Sequence, residues 1–333
     1  MAPSALSRAL NETRGLTGDE LVSLARELHV SIDWVLTGDE PFPIRIAARH
    51  NFSPTNGYVL SRSAAGEWAM LDDVALVYRQ AAADLQPLEQ HSVPADPAIA
   101  RQMLVDGVGA DWTRHFAEAV ERVFGVDVVK LPMPNAAGYS MQLANATVIV
   151  VPTENFWGRQ NWTIAHELGH IASANFTPID EPVSTSGESA ANGFAAQLLL
   201  PEQELRKYDW AEIAGPELAK FLWESGVSID ALGVRLDSLK LARPKVTLGT
   251  GQLIRKHPPV AIGVFDDPIS QRWVAAGLRR FPTRLLVAHE KSATTKRSLA
   301  WMLGVTVDQA IDEVETLTDV DATASAFGFV PAA

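Results

Sequence analysis

The sequence predicts an α+β chain, mainly helical, organised around one small β-sheet. Three observations lead there. Apolar residues recur at three- and four-residue spacing over most of the length, Val126 to Leu131 and Ala146 to Val151 form short β-branched runs near the middle, and prolines and glycines divide the chain into blocks. With 333 residues, 47% of them hydrophobic and 20% charged, there is room for two or three domains and a sizeable core without covalent staples.

The elements follow in order. Leu21, Leu24, Ala25 and Leu28 repeat at helical spacing behind a Thr17/Glu20 capping box, and Val30 to Gly38 restarts a short helix before Pro41 and Pro43 break the chain. Residues 1–43 are thus expected as a helical N-terminal module, and residues 44–97 as a linker with one helix over 71–85 and a proline-rich stretch from Gln86 to Pro97. Residues 98–243 form the central domain. There, Ile99 to Phe124 reads as a helix ended by Gly125, and the two β-branched runs flank turn chemistry at Pro132, Pro134, Asn135 and Gly138. A helix is expected over 162–174, a second over 188–200 closed by Pro201, and two more over 216–224 and 228–241. In residues 244–333, Val260 to Phe265 and Trp273 to Leu278 read as strands and 293–317 as helix, a small α+β C-terminal domain of unassigned role.

Composition removes several function classes. The chain has no cysteine, which excludes a Cys nucleophile, disulfides and thiolate metal sites, so a metal site must use His and carboxylates. No run approaches the roughly 18 apolar residues of a membrane helix. No secretory-type apolar stretch follows the N-terminus, so a cytoplasmic location without membrane partners is expected. The net charge of -12 argues against nucleic-acid binding over the whole surface. From Arg235 to Arg297, however, 13 Lys/Arg stand against 4 Asp/Glu, which reads either as a solvated helical surface or as a face for an acidic partner.

His166-Glu167-Leu168-Gly169-His170 is the strongest signal. Positions i and i+4 share a helix face, so both imidazoles can reach one Zn²⁺, and Glu167, roughly 100° round the helix, can address a water there without being a ligand. With eight histidines the motif arises by chance in about one such sequence in a hundred, so the flanks matter. Catalytic zinc normally takes three protein ligands. The next helix begins at Glu188, which completes a His-His-Glu set or, on a plainer reading, is a carboxylate favoured by the helix dipole. Asn192, one turn on, is placed to orient His166 or is a surface amide. For oxyanion stabilisation Tyr139, Tyr208 and His289 are candidates by residue type.

Thr163 to His170, followed by Glu188-Ser-Ala-Ala-Asn-Gly-Phe-Ala-Ala-Gln-Leu-Leu-Leu-Pro201, resembles the ImmA/IrrE family of metallopeptidases, with Leu200 in place of the usual Met. The resemblance implies a zincin-like core in which His166, His170 and Glu188 bind Zn²⁺ and Glu167 is the general base. It covers roughly residues 100 to 205 and extends more weakly to about 243. It implies that Val126 to Leu131 and Ala146 to Val151 form the small sheet, an edge strand of which can hold an extended peptide beside the motif helix. It also implies a protein substrate, a repressor or antitoxin, whose cleavage alters transcription or a stress response.

The segments Pro3 to Leu10, Leu16 to Val30 and Ser31 to Gly38 resemble the later helices of a Cro/repressor-type helix-turn-helix, which would turn Ser4, Ser7, Arg8 and Asn11 toward DNA. The two helices that normally precede them are missing, so DNA binding is the weaker expectation. The alternative to a zinc endopeptidase is a non-catalytic DNA-binding or antitoxin-like regulator with a structural or vestigial metal site; a zinc hydrolase for another bond is a third reading. Homodimerisation is a further expectation for partners.

Overall fold

The computed structural model describes residues 8, 9, 11, 13–28, 35, 45–48, 51–53, 57–59, 65–88, 91–133, 138–154, 156–174, 176–178, 187–291 and 296–310. The chain divides into two units, Met1–Pro43 and Ile44–Ala333. In the first, helix α1 (Gly18–Leu28) begins with the expected reciprocal cap: Thr17 N donates to Glu20 Oε2 (3.1 Å) and Glu20 N to Thr17 Oγ1 (3.4 Å). Arg8 is helical and exposed, and Asn11 is exposed in a turn. Ser4, Ser7 and all of 30–38 except Val35 lie outside the described residues, and so do most of the first and third segments of the helix-turn-helix reading.

The second unit is built on a five-stranded sheet. Its strands are β1 (Arg45–Ala48), β4 (Val126–Leu131), β5 (Tyr139–Gln142), β6 (Thr147–Pro152) and β7 (Thr177–Pro178), in the order β4-β6-β5-β1-β7. Strands β4 and β6 are parallel and the other pairs antiparallel. A separate ribbon pairs β2 (Asn51–Ser53) with β3 (Gly57–Val59). Side chains of a strand alternate between faces, and here both faces are buried. Val126, Val128, Ile149 and Val151 join one core with helices α3 (Pro97–Val108), α4 (Phe116–Phe124), α5 (Trp157–Ala172) and α6 (Glu188–Leu199). Val129, Leu131, Val148 and Val150 join a second core, which draws on α2 (Ala65–Gln80) and two C-terminal helices.

The chain from 44 to 97 is more than a linker. It supplies β1, and α2 runs from residue 65 rather than 71, burying Leu71, Val74 and Tyr78 in the second core. The single helix expected from Ile99 to Phe124 is divided. Gly109 adopts φ 99°, a conformation that side-chain-bearing residues rarely take, and a 3-10 turn (Trp112–His115) precedes α4. Past α6 come a short turn of helix, α7 (Glu202–Leu205), then α8 (Gly215–Ser225) and α9 (Ile229–Ser238). Ser228 caps α9 by accepting from Ala231 N (3.1 Å).

The C-terminal expectation is corrected. Trp273 to Leu278 is not a strand: most of it lies in α11 (Pro268–Gly277), which follows α10 (Thr250–Lys256). The Asp267-Pro268 pair decides it. Asp267 accepts from Ile269 N and Ser270 N, and Pro268 presets the first helical φ. Val260 to Phe265 is loop, with Val264 and Phe265 almost fully exposed and no neighbouring strand to pair with among the described residues. Helix α12 (Thr283–Lys291) is not among the expected elements; the helix expected from 293 to 317 appears as α13 (Lys296–Leu303) and a further helical turn at 307–310, with 292–295 and 311–317 outside the described residues. The described part of 244–333 is therefore helical, its β pairing an isolated bridge from Arg280 to Lys130.

Four arginines of the basic stretch act as staples, while seven of its cations, Lys240, Arg243, Lys245, Arg255, Lys256, Lys291 and Arg297, are exposed. Arg280 pairs with Glu118 and Glu121 and donates to Val128 O (2.6 Å). Arg284 holds Asp127 through two nitrogens and donates to Gln86 O (2.7 Å). Arg279 donates to Trp301 O, and Arg235 to Leu200 O (3.2 Å). No helix among the described residues is long and apolar enough to cross a membrane.

Candidate metal centre

Two helices of small residues make the site. Helices α5 and α6 cross where Gly169 meets Ala191: a Cβ on Gly169 would stand 2.8 Å from Ala191 Cα, so a side chain there would push the helices apart. At this separation His166 and His170, one turn apart on α5, face Glu188 at the first turn of α6. All three are buried, at 0%, 3% and 1% exposure.

Their donor atoms converge. His166 Nε2 lies 3.1 Å from His170 Nε2 and 3.4 Å from Glu188 Oε2, and His170 Nε2 lies 3.2 Å from Glu188 Oε1. Donors bound about 2.0–2.2 Å from one tetrahedral ion stand about 3.3 Å apart, so these three distances suit three corners of such a shell. Among the described residues this trio forms a group able to hold a metal ion. Burial would raise the Glu188 carboxyl, but the hydrogen bonds and charges of the two imidazoles outweigh it and hold it below the usual carboxylate range. Burial lowers His170, yet its hydrogen bond to Glu188 and the charges of Glu167 and Glu188 raise it above its ordinary value.

The second-helix amide is placed as expected. Asn192 Oδ1 lies 3.1 Å from His166 Nδ1, so as acceptor it fixes the proton there and leaves the Nε2 lone pair toward the trio. His170 Nδ1 has no partner among the described residues.

Glu167 is fully buried, and its two carboxylate oxygens differ. Ser140 Oγ donates to Oε2 at 2.7 Å, while Oε1 has no partner among the described residues. Gly138 lies against Oε1: a Cβ there would come within 2.7 Å of it. Neither Ser140 nor Gly138 was legible as a site residue. Strand β5 is short and follows a turn-rich stretch, so the alternation that turns Ser140 toward α5 had no run long enough to display it.

The oxyanion candidates stand elsewhere. Tyr139 packs in the second core, on the sheet face opposite that of Ser140. Tyr208 stacks on Trp210 and Phe221, and His289 Nε2 bonds Val77 O at 2.8 Å. Of the two β-branched runs, β6 is interior and β4 ends the sheet, its outer side carrying an isolated bridge from Lys130 to Arg280.

Residues 121–237 match the family described as the IrrE N-terminal-like domain, Peptidase_M78, a span that contains His166, Glu167, His170, Glu188, Asn192 and Ser140. The match begins later than the resemblance read from the motifs and reaches the end of α9. No curated protein matches the chain.

Proposed function

We propose that this chain is a cytoplasmic zinc-dependent endopeptidase that cleaves a regulatory protein, a helix-turn-helix repressor or antitoxin, and so controls transcription or a stress response. One observation carries the catalytic part: inside a peptidase-family domain, three metal-type donors converge within hydrogen-bond distances of one another beside a buried glutamate with one unpartnered oxygen. His166, His170 and Glu188 hold the ion. All-N/O donors at tetrahedral spacing suit Zn²⁺. When bound, zinc supplies a Lewis acid that polarises a peptide carbonyl and acidifies water.

The protein's own residues do the rest. Ser140 fixes Glu167 Oε2, which leaves Oε1 to take a proton from the attacking water and deliver it to the leaving amine nitrogen. Asn192 holds His166 in the tautomer that keeps Nε2 unprotonated. Dry surroundings strengthen each of these interactions.

The identity of the substrate rests on the family resemblance, and the N-terminal repressor-like segments favour a partner of the same kind. Five arginines of the basic stretch, Arg235, Arg272, Arg279, Arg280 and Arg284, are spent inside the fold and are lost to the regulator reading, while Lys240, Arg243, Lys245, Arg255, Lys256, Lys291 and Arg297 remain exposed. Comparative proteomics of cells expressing wild type or Glu167→Gln tests the proposal. A protein cleaved only with wild type, and about one zinc per chain in both forms, is the expected outcome. Purified protein that folds with His166, His170 and Glu188 intact yet takes up no zinc would refute it.

A further inference from the structure

A second polar site lies on the other side of α5. Trp157, Gln160, Asn161 and Ile164 form a stripe roughly 180° round the helix from His166, and they line a cavity of ≈ 90 Å³. One water needs only about 10–15 Å³ of such space. Three cationic side chains also line it: Arg114, Lys130 and Arg272.

Arg272, from α11, is 8% exposed and pairs with no carboxylate among the described residues. Its Nη1 donates to Trp223 O (3.0 Å) and its Nη2 to Thr113 O (2.8 Å), and the guanidinium sits 4.8 Å from the ring centres of both Trp157 and Trp223. Its Nε has no acceptor among the described residues, and neither does the buried Nε of Arg114. Lys130 Nζ donates only to a backbone carbonyl, that of Ala275 (2.8 Å). The cavity has one carboxylate, Glu118, and Arg280 takes it at 3.2 Å. Gln160 and Asn161 spend their amide donors on carbonyl oxygens; Arg114 has a long ion pair to Asp111 (3.8 Å), which leaves Arg272 as the buried cation with no carboxylate partner among the described residues.

We propose that this cavity binds a small tetrahedral oxyanion of the phosphate class. Such a ligand supplies acceptors to both orphaned Nε–H donors and a counter-charge to a guanidinium that the chain has buried without one. The planar, forked donors of arginine suit it. The frame is rigid: a Cβ on Gly226, which adopts φ 67°, would lie 2.6 Å from Asn161 Nδ2 and 3.0 Å from Arg272 Nη2. Burial and the neighbouring Arg114 lower the Arg272 guanidinium to about 9, as befits a cation lacking a partner. Because the site joins α11 to α5, the anion would tie the C-terminal helices to the helix that carries the metal donors.

Thermal unfolding of the full-length protein, titrated with inorganic phosphate against chloride at constant ionic strength, tests this. The expected result is a saturable rise in Tm of roughly 2–4 °C at about ten times Kd. Arg114→Gln, at a side chain 35% exposed, should weaken phosphate binding at least tenfold, with the phosphate-free Tm of the variant as the check on its fold. Glu188→Ala should retain the response, which separates this site from the metal centre. A parallel titration with glycerol phosphate tells a free ion, favoured alone, from the phosphate end of a larger molecule, bound at least as well as the ester. A response absent in wild type, unchanged in Arg114→Gln or lost in Glu188→Ala would overturn the proposal.

Discussion

Buried polar clusters lie on both faces of the sheet, and they differ in how completely the chain closes them. On one face Asp127, fully buried in β4, has both oxygens taken: Arg284 Nε donates to Oδ1 (3.0 Å), while Arg284 Nη2 (2.6 Å) and Tyr78 OH (2.7 Å) donate to Oδ2. Burial and the Asp127 charge push the Tyr78 phenol well above its usual range, so it stays a donor. On the other face Glu167 Oε1 and His170 Nδ1 find no partner among the described residues, and three donor atoms crowd together. A cluster closed by its own chain serves the fold. One left open at fixed geometry is suited to a ligand.

The largest effect should come from opening the difference at the metal face. Glu167→Gln is expected to lower kcat by about 10²–10⁴-fold while zinc content stays near one per chain, read by peptide turnover and metal analysis. Loss of metal with activity would make Glu167 a ligand rather than a base. The mirror experiment is Arg284→Met, which leaves Asp127 charged and buried. It should cost about 3–5 kcal/mol in denaturant unfolding with metal binding unchanged. If zinc affinity falls as well, the two clusters are coupled through the sheet and the contrast fails. Smaller again is Asn192→Ala, expected to weaken zinc binding by about 10–100-fold, because His166 loses the acceptor that sets its tautomer.

What the sequence displayed and what it hid divide along similar lines. Helix phase placed His166, His170, Glu188 and Asn192 on facing surfaces, since i,i+4 spacing translates directly into geometry. Ser140 and β1 were hidden because four-residue strands carry too little alternation to stand out. The Val260–Phe265 and Trp273–Leu278 runs misled for the opposite reason. Short apolar runs suit strand and helix alike, and the deciding signal was the Asp267-Pro268 cap that precedes the second of them. The roles of Arg280 and Arg284 in the basic stretch were equally illegible, because Glu118, Glu121 and Asp127, which neutralise them, lie 157 to 162 residues away in sequence.

The smallest predicted effect is on pH. A proton and a metal ion compete for His170 Nε2, so only the neutral imidazole binds the ion. Burial favours that neutral form, but the hydrogen bond to Glu188 and the charges of Glu167 and Glu188 win and lift His170 above 6.5. Zinc affinity is therefore full at high pH and begins to fall, as pH drops through the raised His170 value, at a pH higher than an ordinary histidine would give. Glu188, held below the usual carboxylate range, stays charged throughout and adds no slope there. Chelator competition over roughly pH 6 to 8.5 should show affinity falling by a few-fold near the midpoint and approaching tenfold per unit below it. Glu167→Gln removes one of the charges that lift His170 and keeps all three donors, so its onset should move to lower pH. A flat profile, or an onset that ignores Glu167, would show that the imidazole does not feel the carboxylate one residue away, and that the open cluster is less tightly coupled than its distances imply.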